Sequence, residues 1–138
     1  MESYLTRRER FCAAHRLYRE EWDDSENYNA FGPCSNPQWH GHNYELYVTV
    51  KGEIKPQTGF VVNIKELSKI IREYIIDKID HKNMNTEVDF MKGRLASTEN
   101  LAVAVWEQLE GPLRVLGVQL YKVRIDETEN NYVEFYGK

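Results

Sequence analysis

Residues 40–52, HGHNYELYVTVKG, alternate between two kinds of side chain, and this alternation decides the fold. One set consists of imidazoles followed by large apolar groups: His40, His42, Tyr44, Leu46, Val48 and Val50. The other set is small or more polar: Gly41, Asn43, Glu45, Tyr47, Thr49 and Lys51. Because successive side chains of a β-strand point to opposite faces, the pattern predicts a strand with one face on the core. Two histidines lie at the end of that apolar face.

Three other segments have strand-like patterns. In residues 4–15, Leu5, Phe11 and Ala13 share one parity, which Arg7 and Glu9 interrupt, and residues 119–127 also alternate. The inward residues of the second of these segments are expected to be Tyr121, Val123 and Ile125. After a turn at Asn130-Asn131, Val133 and Phe135 fall in a last predicted strand.

Two segments have the 3.6-residue periodicity of an amphipathic helix. The first begins at Asn63, with Glu66 as its capping partner. Its apolar stripe is Leu67, Ile70, Ile71, Tyr74 and Ile75. The second is capped by Thr98 and is expected to end at Gly111-Pro112. Its buried face is Leu101, Ala102, Val105, Trp106 and Leu109. Residues 16–39 are predicted to be a long loop, and residues 79–97 to be irregular.

The order of these elements is β, long loop, β, α, α, β, β. It predicts an α+β fold in which a four-stranded antiparallel sheet carries two helices on one face. Residues 1–138 contain no repeat or linker and are interpreted as one domain. The second face of the sheet then needs a partner, and oligomerisation is one way to cover it.

Composition narrows the function classes. The chain has 18 basic and 22 acidic residues, so a general nucleic-acid surface is not expected. No apolar run approaches the ~18 residues that a membrane span needs, and the N-terminal segment has no apolar signal core. The two cysteines, Cys12 and Cys34, are too few for a disulfide framework. We therefore expect a cytoplasmic protein with reduced thiols and neither a membrane nor a nucleic-acid partner.

The strongest chemical signal is the pair His40 and His42. Residues i and i+2 of a strand project from the same face, so both imidazoles can reach one ion. The alternative is two histidines at the edge of the core with ordinary hydrogen bonds. His15 ends the first strand, and it lies beside the pair if the first two strands form a hairpin. Three neutral imidazoles with an open fourth position are typical of catalytic zinc.

Three other residues have two possible interpretations each. Cys34 lies in the loop before the histidine pair, where a lowered pKa would make it a base or nucleophile; otherwise it is a small buried filler. Asp80 and His81 follow the first helix as either a proton relay or a surface ion pair.

Glu127 shares the parity of the apolar face in the third strand, where a carboxylate needs donors. It could accept two parallel N–H bonds from a flat heterocycle, or it could turn to solvent at the strand end. Ser97, Thr98 and Glu99 have a simple explanation as a helix cap, and a functional role is the alternative.

Taken together, the motifs resemble the 6-pyruvoyltetrahydropterin synthase family. They are Phe11-Cys12-Ala13-Ala14-His15, Cys34-x5-His40-Gly41-His42-Asn43-Tyr44, Gly52-Glu53-Ile54 with Thr58-Gly59, Asp80-His81-Lys82-Asn83, Ser97-Thr98-Glu99-Asn100 and Glu127-Thr128-x-Asn130-Asn131. The resemblance runs from about residue 8 to the C-terminus. It implies the T-fold, in which the sheets of a trimer close into a barrel and two trimers stack into a hexamer with active sites between subunits.

The resemblance also implies a role for each candidate residue. Zn²⁺ would be bound by His15, His40 and His42. Cys34 would be the general base, with Asp80 and His81 as the relay. Glu127 would anchor a pterin ring, helped by Thr98 and Glu99.

The implied reaction converts 7,8-dihydroneopterin triphosphate into 6-pyruvoyltetrahydropterin with loss of triphosphate. A second branch of the family makes 6-carboxytetrahydropterin, on the route to queuosine, and loses acetaldehyde as well. Here the five residues Ser35 to Trp39 separate the cysteine from the histidine pair, as in the pyruvoyl branch. Trp39 replaces the small residue expected there and could reshape the side-chain pocket. The competing hypotheses are a three-histidine zinc hydrolase and a pterin-binding protein without turnover.

Overall fold

The computed structural model describes residues Met1–Lys138, and two long paired strands dominate it. The strands are β1 (Glu2–His15), β2 (His40–Glu53), β3 (Lys82–Asn83), β4 (Gln119–Thr128) and β5 (Asn131–Phe135). The helices are α1 (Asp24–Phe31), α2 (Ile64–Ile71), α3 (Asp77–Ile79) and α4 (Thr98–Leu116). A π-helical segment, Arg72–Ile76, joins α2 to α3 without a break. None of the helices is both long and apolar enough to cross a membrane.

The sheet has the strand order β3-β1-β2-β4-β5. β1 and β2 pair antiparallel along their whole length, from Glu2 opposite Glu53 to His15 opposite His40. The apolar parity of both strands therefore falls on one face, with Phe11 opposite Tyr44 and their rings stacked 4.9 Å apart.

The buried apolar side chains form a single cluster between this inner face and the helices. The sheet contributes Leu46, Val48, Val123 and Ile125, and the helices contribute Leu67, Ile71, Ile75, Leu101, Val105 and Leu109. Each fully buried side chain of this size stabilises the fold by ~1.5–3 kcal/mol relative to exposure. The predicted α+β class, with helices packed on one face of a sheet whose long strands are antiparallel, is confirmed.

The opposite, outer face of the sheet is charged and aromatic. Arg8 and Arg10 lie within ion-pair distance of Glu45 across β1 and β2. On β4, Arg124 pairs with Asp126 at 2.8 Å and stacks on Tyr132 at 3.8 Å. Such a face can be solvated or can meet another polar surface, and it is not the apolar surface that an uncovered core would leave.

The prediction of four strands was wrong, because β3 adds a short fifth strand parallel to β1. Two long-range hydrogen bonds position it. Asp80 Oδ1 accepts from Cys12 N at 2.9 Å, and the His81 N–H donates to Cys12 O at 2.6 Å. The sequence predicted residues 79–97 to be irregular. The strand β3 was missed because two residues are too few to show a periodic pattern.

The prediction of an unbroken loop over residues 16–39 was also wrong. α1 lies in it, and it begins with a capping box in which Asp23 accepts from Glu26 N and the Glu26 side chain accepts from Asp23 N. Its one buried residue is Asn27, whose amide bonds the backbone of Arg19 and Trp22. Because a polar residue provides this anchor, α1 has no apolar stripe.

Both predicted helices differ in detail from the structure. Asn63 caps α2 as expected, but its side chain accepts from Lys65 N and no side-chain bond to Glu66 forms. α4 is capped by Ser97 rather than Thr98, and it continues through Pro112 to Leu116 before Gly117 ends it in the left-handed region. Pro112 removes one backbone hydrogen bond of the helix, and the stabilisation from fully burying Leu113 offsets this loss of free energy.

One inward position in β4 was predicted wrongly. The pairing with β2 slips between Thr49 and Val50, so Tyr121 is the extra residue of a β-bulge. Leu120 points into the core instead, and Tyr121 is exposed, in edge contact with Tyr4 at 4.6 Å. Beyond the bulge, Val123 and Ile125 are buried as expected.

Candidate active site

Three histidines meet at the end of the β1–β2 ladder. His15 and His40 are its last pair, and His42 is two residues back on the same face. The ring centroids are 4.4 Å apart for His15 and His40, 5.2 Å for His15 and His42, and 5.0 Å for His40 and His42. One ring nitrogen from each residue lies within 4.8 Å of the others.

Each of the three histidines has a buried ring nitrogen without a hydrogen-bond partner. These atoms are Nε2 of His15, Nδ1 of His40 and Nε2 of His42. Buried polar atoms are nearly always paired, so three orphans in one cluster need a common explanation. On His15, Nδ1 lies 2.7 Å from the carbonyl oxygen of Ala96. A carbonyl can only accept, so Nδ1 carries the proton and Nε2 presents its lone pair, as in a metal-ligating histidine.

The surroundings favour neutral imidazoles. Burial lowers the pKa of His15, and the neighbouring His40 and His42 lower it further, while the bond to Ala96 opposes them. Burial and His42 also lower the pKa of His40. Neutral imidazole is the form that binds metal, and the cluster contains no fourth protein ligand. The donor set therefore fits a metal ion with an open coordination position.

Glu127 lies at a second β-bulge, where the pairing of β4 with β5 slips between Asp126 and Thr128. Such bulges redirect a side chain, often beside a functional site. Thr98 Oγ1 donates to Glu127 Oε2 at 2.6 Å, so the first turn of α4 orients the carboxylate. The neighbouring Glu99 is exposed in the same turn.

Tyr44 packs against the histidines on the inner face of the sheet. Its ring centroid lies 5.6 Å from that of His42, and its hydroxyl is buried without a partner. Burial raises the pKa of Tyr44, and the charges of Glu127 and Cys34 raise it further, so the phenol stays protonated. Tyr44 was interpreted only as a core residue, although it continues the parity of His40 and His42.

Cys34 lies in a 3-10 segment, Gly32–Ser35, that is tied to the chain beyond His15. Leu17 N donates to Cys34 O at 2.8 Å, and Arg16 Nε donates to Ser35 O at 2.8 Å. The thiol is half-buried and is not a member of the three-histidine cluster. Cys34 is therefore not a fourth ligand of this cluster.

Trp39, just before His40, adopts a left-handed backbone conformation with φ of 63°. For a bulky residue this conformation costs ~1–3 kcal/mol and persists only where its surroundings impose it. Its N–H donates to Asn36 O at 3.1 Å, and its ring meets the edge of Tyr18 at 6.2 Å. The large side chain of the residue next to His40 therefore packs against Tyr18.

Asp80 and His81 are a close pair, but within one chain they do not reach the histidine cluster. His81 Nδ1 lies 3.0 Å from Asp80 Oδ1, and the His81 side chain is 81% exposed. The pair borders a cavity of about 510 Å³ that is also lined by the outer-face residues Arg10, Asn43 and Glu45. The lining also includes Phe11 and Tyr44, so this cavity lies at the edge of the sheet, and none of the three histidines lines it.

Known proteins resemble this chain over nearly its whole length. The family model described as 6-pyruvoyl tetrahydropterin synthase matches residues 4–138. The 6-pyruvoyl tetrahydrobiopterin synthase of Pongo abelii is 46% identical over 137 residues, which are 99% of this chain and 93% of that protein. The Dictyostelium discoideum protein of the same name is 45% identical over 97% of this chain and 96% of its own length. The structure of Caenorhabditis elegans 6-pyruvoyl tetrahydropterin synthase superposes with a TM-score of 0.91 at 36% identity, covering 100% of this chain and 97% of that one.

Proposed function

Because this chain belongs to the 6-pyruvoyl tetrahydropterin synthase family, we propose that it is a zinc-dependent lyase that converts 7,8-dihydroneopterin triphosphate into 6-pyruvoyltetrahydropterin. The observation that carries the proposal is the cluster of His15, His40 and His42, with one unpaired buried nitrogen on each residue. A bound metal ion would give all three of these nitrogens a partner. We also propose a cytoplasmic location, since both cysteines are free thiols.

The three histidines would hold the zinc ion. When bound, Zn²⁺ supplies Lewis-acid chemistry, which lowers the pKa of the substrate side-chain hydroxyls and favours loss of the neighbouring proton. The donor set supports this assignment, since three neutral nitrogens and an open position are typical of catalytic zinc.

Glu127 would hold the pterin ring. Its two carboxylate oxygens can accept parallel N–H bonds from the ring's guanidine-like edge, and Thr98 already fixes the orientation of one of them. The exposed carboxylate of Glu99 in the same helix turn would add a contact at the rim. These residues bind and orient the substrate, and they transfer no proton.

Cys34, as the thiolate, would remove the C1′ proton of the substrate. That proton is returned to the ring, so the side chain is oxidised as the ring is reduced and triphosphate leaves. The overall conversion needs no external reductant. His81, oriented by Asp80, would supply and return protons.

The placement of His81 supports an active site shared between subunits. Since Asp80 and His81 face away from the cluster of their own chain, we propose that a second copy supplies them. β1 has no strand partner along most of one edge, and β5 ends the other side of the sheet. Pairing of such edges would close three sheets into the barrel of a trimer, and two trimers would form the hexamer.

The alternative product is 6-carboxytetrahydropterin, and it has weaker support. The relatives that match nearly the whole chain carry the pyruvoyl name, and the five-residue spacer after Cys34 is the one expected for the pyruvoyl branch.

One assay distinguishes the candidates. The zinc-loaded protein is incubated with 7,8-dihydroneopterin triphosphate without a reductant, and the products are identified by mass spectrometry. We expect triphosphate and 6-pyruvoyltetrahydropterin, with activity lost on chelation and restored by Zn²⁺. Acetaldehyde with a carboxypterin would assign the other branch, and an absence of turnover would contradict both.

A further inference from the structure

Arg16 differs from every other arginine of the chain in having no carboxylate partner. Eight of the nine arginines form ion pairs: Arg7 and Arg72 with Glu9, Arg8 and Arg10 with Glu45, Arg19 with Glu21, Arg94 with Glu107, Arg114 with Glu110 and Arg124 with Asp126. The chain carries more acidic than basic groups, so a carboxylate is available to most cations. An arginine that remains without one, directly after His15, is a candidate for binding an anion from outside the chain.

The guanidinium of Arg16 is nevertheless held in place. Its Nε donates to Ser35 O at 2.8 Å, and its central carbon lies 3.9 Å from the centroid of the Tyr18 ring. The backbone N–H and carbonyl of Arg16 are both bonded to the side-chain amide of Asn85, each at 3.0 Å. Neither terminal nitrogen of the guanidinium has an acceptor within the chain. A stacked guanidinium with two free donors is preorganised for a bidentate contact to phosphate.

The space in front of Arg16 is polar and adjoins the segment of Cys34. A cavity of about 590 Å³ is lined by Arg16, by the amides of Asn29 and Asn36, and by Pro33 and Ser35 on either side of Cys34. One carboxylate, Asp24, is also in the lining. It lies in the first turn of α1, where the helix N-terminus offsets its charge.

We propose that Arg16 binds the phosphate groups of the substrate and stabilises the departing triphosphate. The inference rests on the proposed function, which provides a substrate whose reacting side chain ends in a triphosphate. With the ring at Glu127 and the side chain at the histidines, the phosphates continue past the end of the β1–β2 ladder, where Arg16 lies. A fixed positive charge there meets the negative charge that builds up on the leaving group.

The test uses the zinc-loaded protein and three variants. Arg16→Gln removes the charge, Arg16→Lys keeps the charge but not the fork, and Arg19→Gln removes an equal charge from an exposed arginine of the same loop. Calorimetry measures binding of inorganic triphosphate and of dihydroneopterin, which has no phosphates. Steady-state kinetics measures KM and kcat for dihydroneopterin triphosphate.

Loss of charged hydrogen bonds predicts that Arg16→Gln weakens binding of inorganic triphosphate and raises KM by about ten- to hundredfold. Dihydroneopterin affinity should change less than twofold, Arg16→Lys should be intermediate, and Arg19→Gln should match the wild type. Equal losses for both probes in Arg16→Gln would overturn the proposal and indicate a structural role. Unchanged affinity for inorganic triphosphate would also overturn it.

Two further outcomes keep the test decisive. If Arg16→Gln does not fold, unchanged triphosphate affinity in Arg16→Lys overturns the proposal, and a clear loss supports it. If the wild type binds inorganic triphosphate through Arg16 but neither binds nor converts the pterin substrate, the proposed function fails while the anion site stands.

Discussion

The hydroxyl of Thr98 can be removed without changing the shape of the side chain, which tests how Glu127 is oriented. Thr98→Val eliminates the 2.6 Å hydrogen bond to Glu127. Valine preserves the packing at this site, where Thr98 is only 7% exposed. The cap of α4 also survives, because it is formed by Ser97 Oγ accepting from Asn100 N. Thr98→Ser is the matched control, since it keeps the hydroxyl.

The expected loss of affinity follows from preorganisation. In the wild type the carboxylate of Glu127 is already immobilised, whereas in Thr98→Val it must be ordered when the pterin binds. Ordering one flexible side chain at a binding site costs ~0.5–1.5 kcal/mol. Since 1.4 kcal/mol is about tenfold in a dissociation constant, pterin affinity should fall about two- to twelvefold. Because Thr98 contacts no reacting atom, we expect kcat to change less than twofold.

Calorimetric titration of zinc-loaded variants with dihydroneopterin measures this effect, and urea denaturation reports the free energy of unfolding alongside it. Thr98→Ser should bind the pterin as the wild type does. If Thr98→Val is less stable but binds the pterin with unchanged affinity, the hydrogen bond only supports the fold, and the reasoning about Glu127 is refuted.

Three other substitutions have defined outcomes. His42→Ala should release zinc on dialysis, because two imidazoles remain, and full zinc retention by elemental analysis would contradict the ligand set. Cys34→Ala should keep zinc and pterin binding but lose about 10²–10⁴-fold in kcat, and near-normal turnover would remove Cys34 from the mechanism. Glu9→Gln should lower the free energy of unfolding at pH 7 by ~1.5–3 kcal/mol, because nearly buried Glu9 accepts from Ser68 at 2.6 Å and pairs with Arg72. Burial alone would raise the pKa of Glu9, but the hydrogen bond from Ser68 and the charges of Arg7 and Arg72 outweigh it and lower the pKa below its usual 4.5. The stabilisation is therefore present above pH 4.5 and is lost as the pH falls through the lowered pKa. Urea denaturation at pH 7 and pH 3 measures the difference, and an equal difference at both would argue against the ionised interaction.

Some features of the candidate site could be predicted from local pattern alone. A period of two in β2 places His40 and His42 on one face, since strand geometry links parity to face without knowledge of the partner strand. The same rule correctly assigned Val123 and Ile125 to the core, and it failed at Tyr121 because a bulge shifts the parity by one residue. The sequence did not predict helix α1, because its one buried residue is an asparagine and the helix therefore has no apolar stripe.

What the sequence by itself determined is therefore the faces of regular strands and helices and the chemical types of the residues on them. The tertiary structure decided the rest: that His15 pairs with His40, that Asp80 and His81 border a cavity with outer-face residues, and that Arg16 forms no ion pair although Asp24 lines the same cavity. Face assignment depends on neighbours along the chain, whose geometry is fixed by the backbone. Register, bulges and ion pairing depend on atoms far apart in sequence, so they exist only once the packed chain has brought those atoms together.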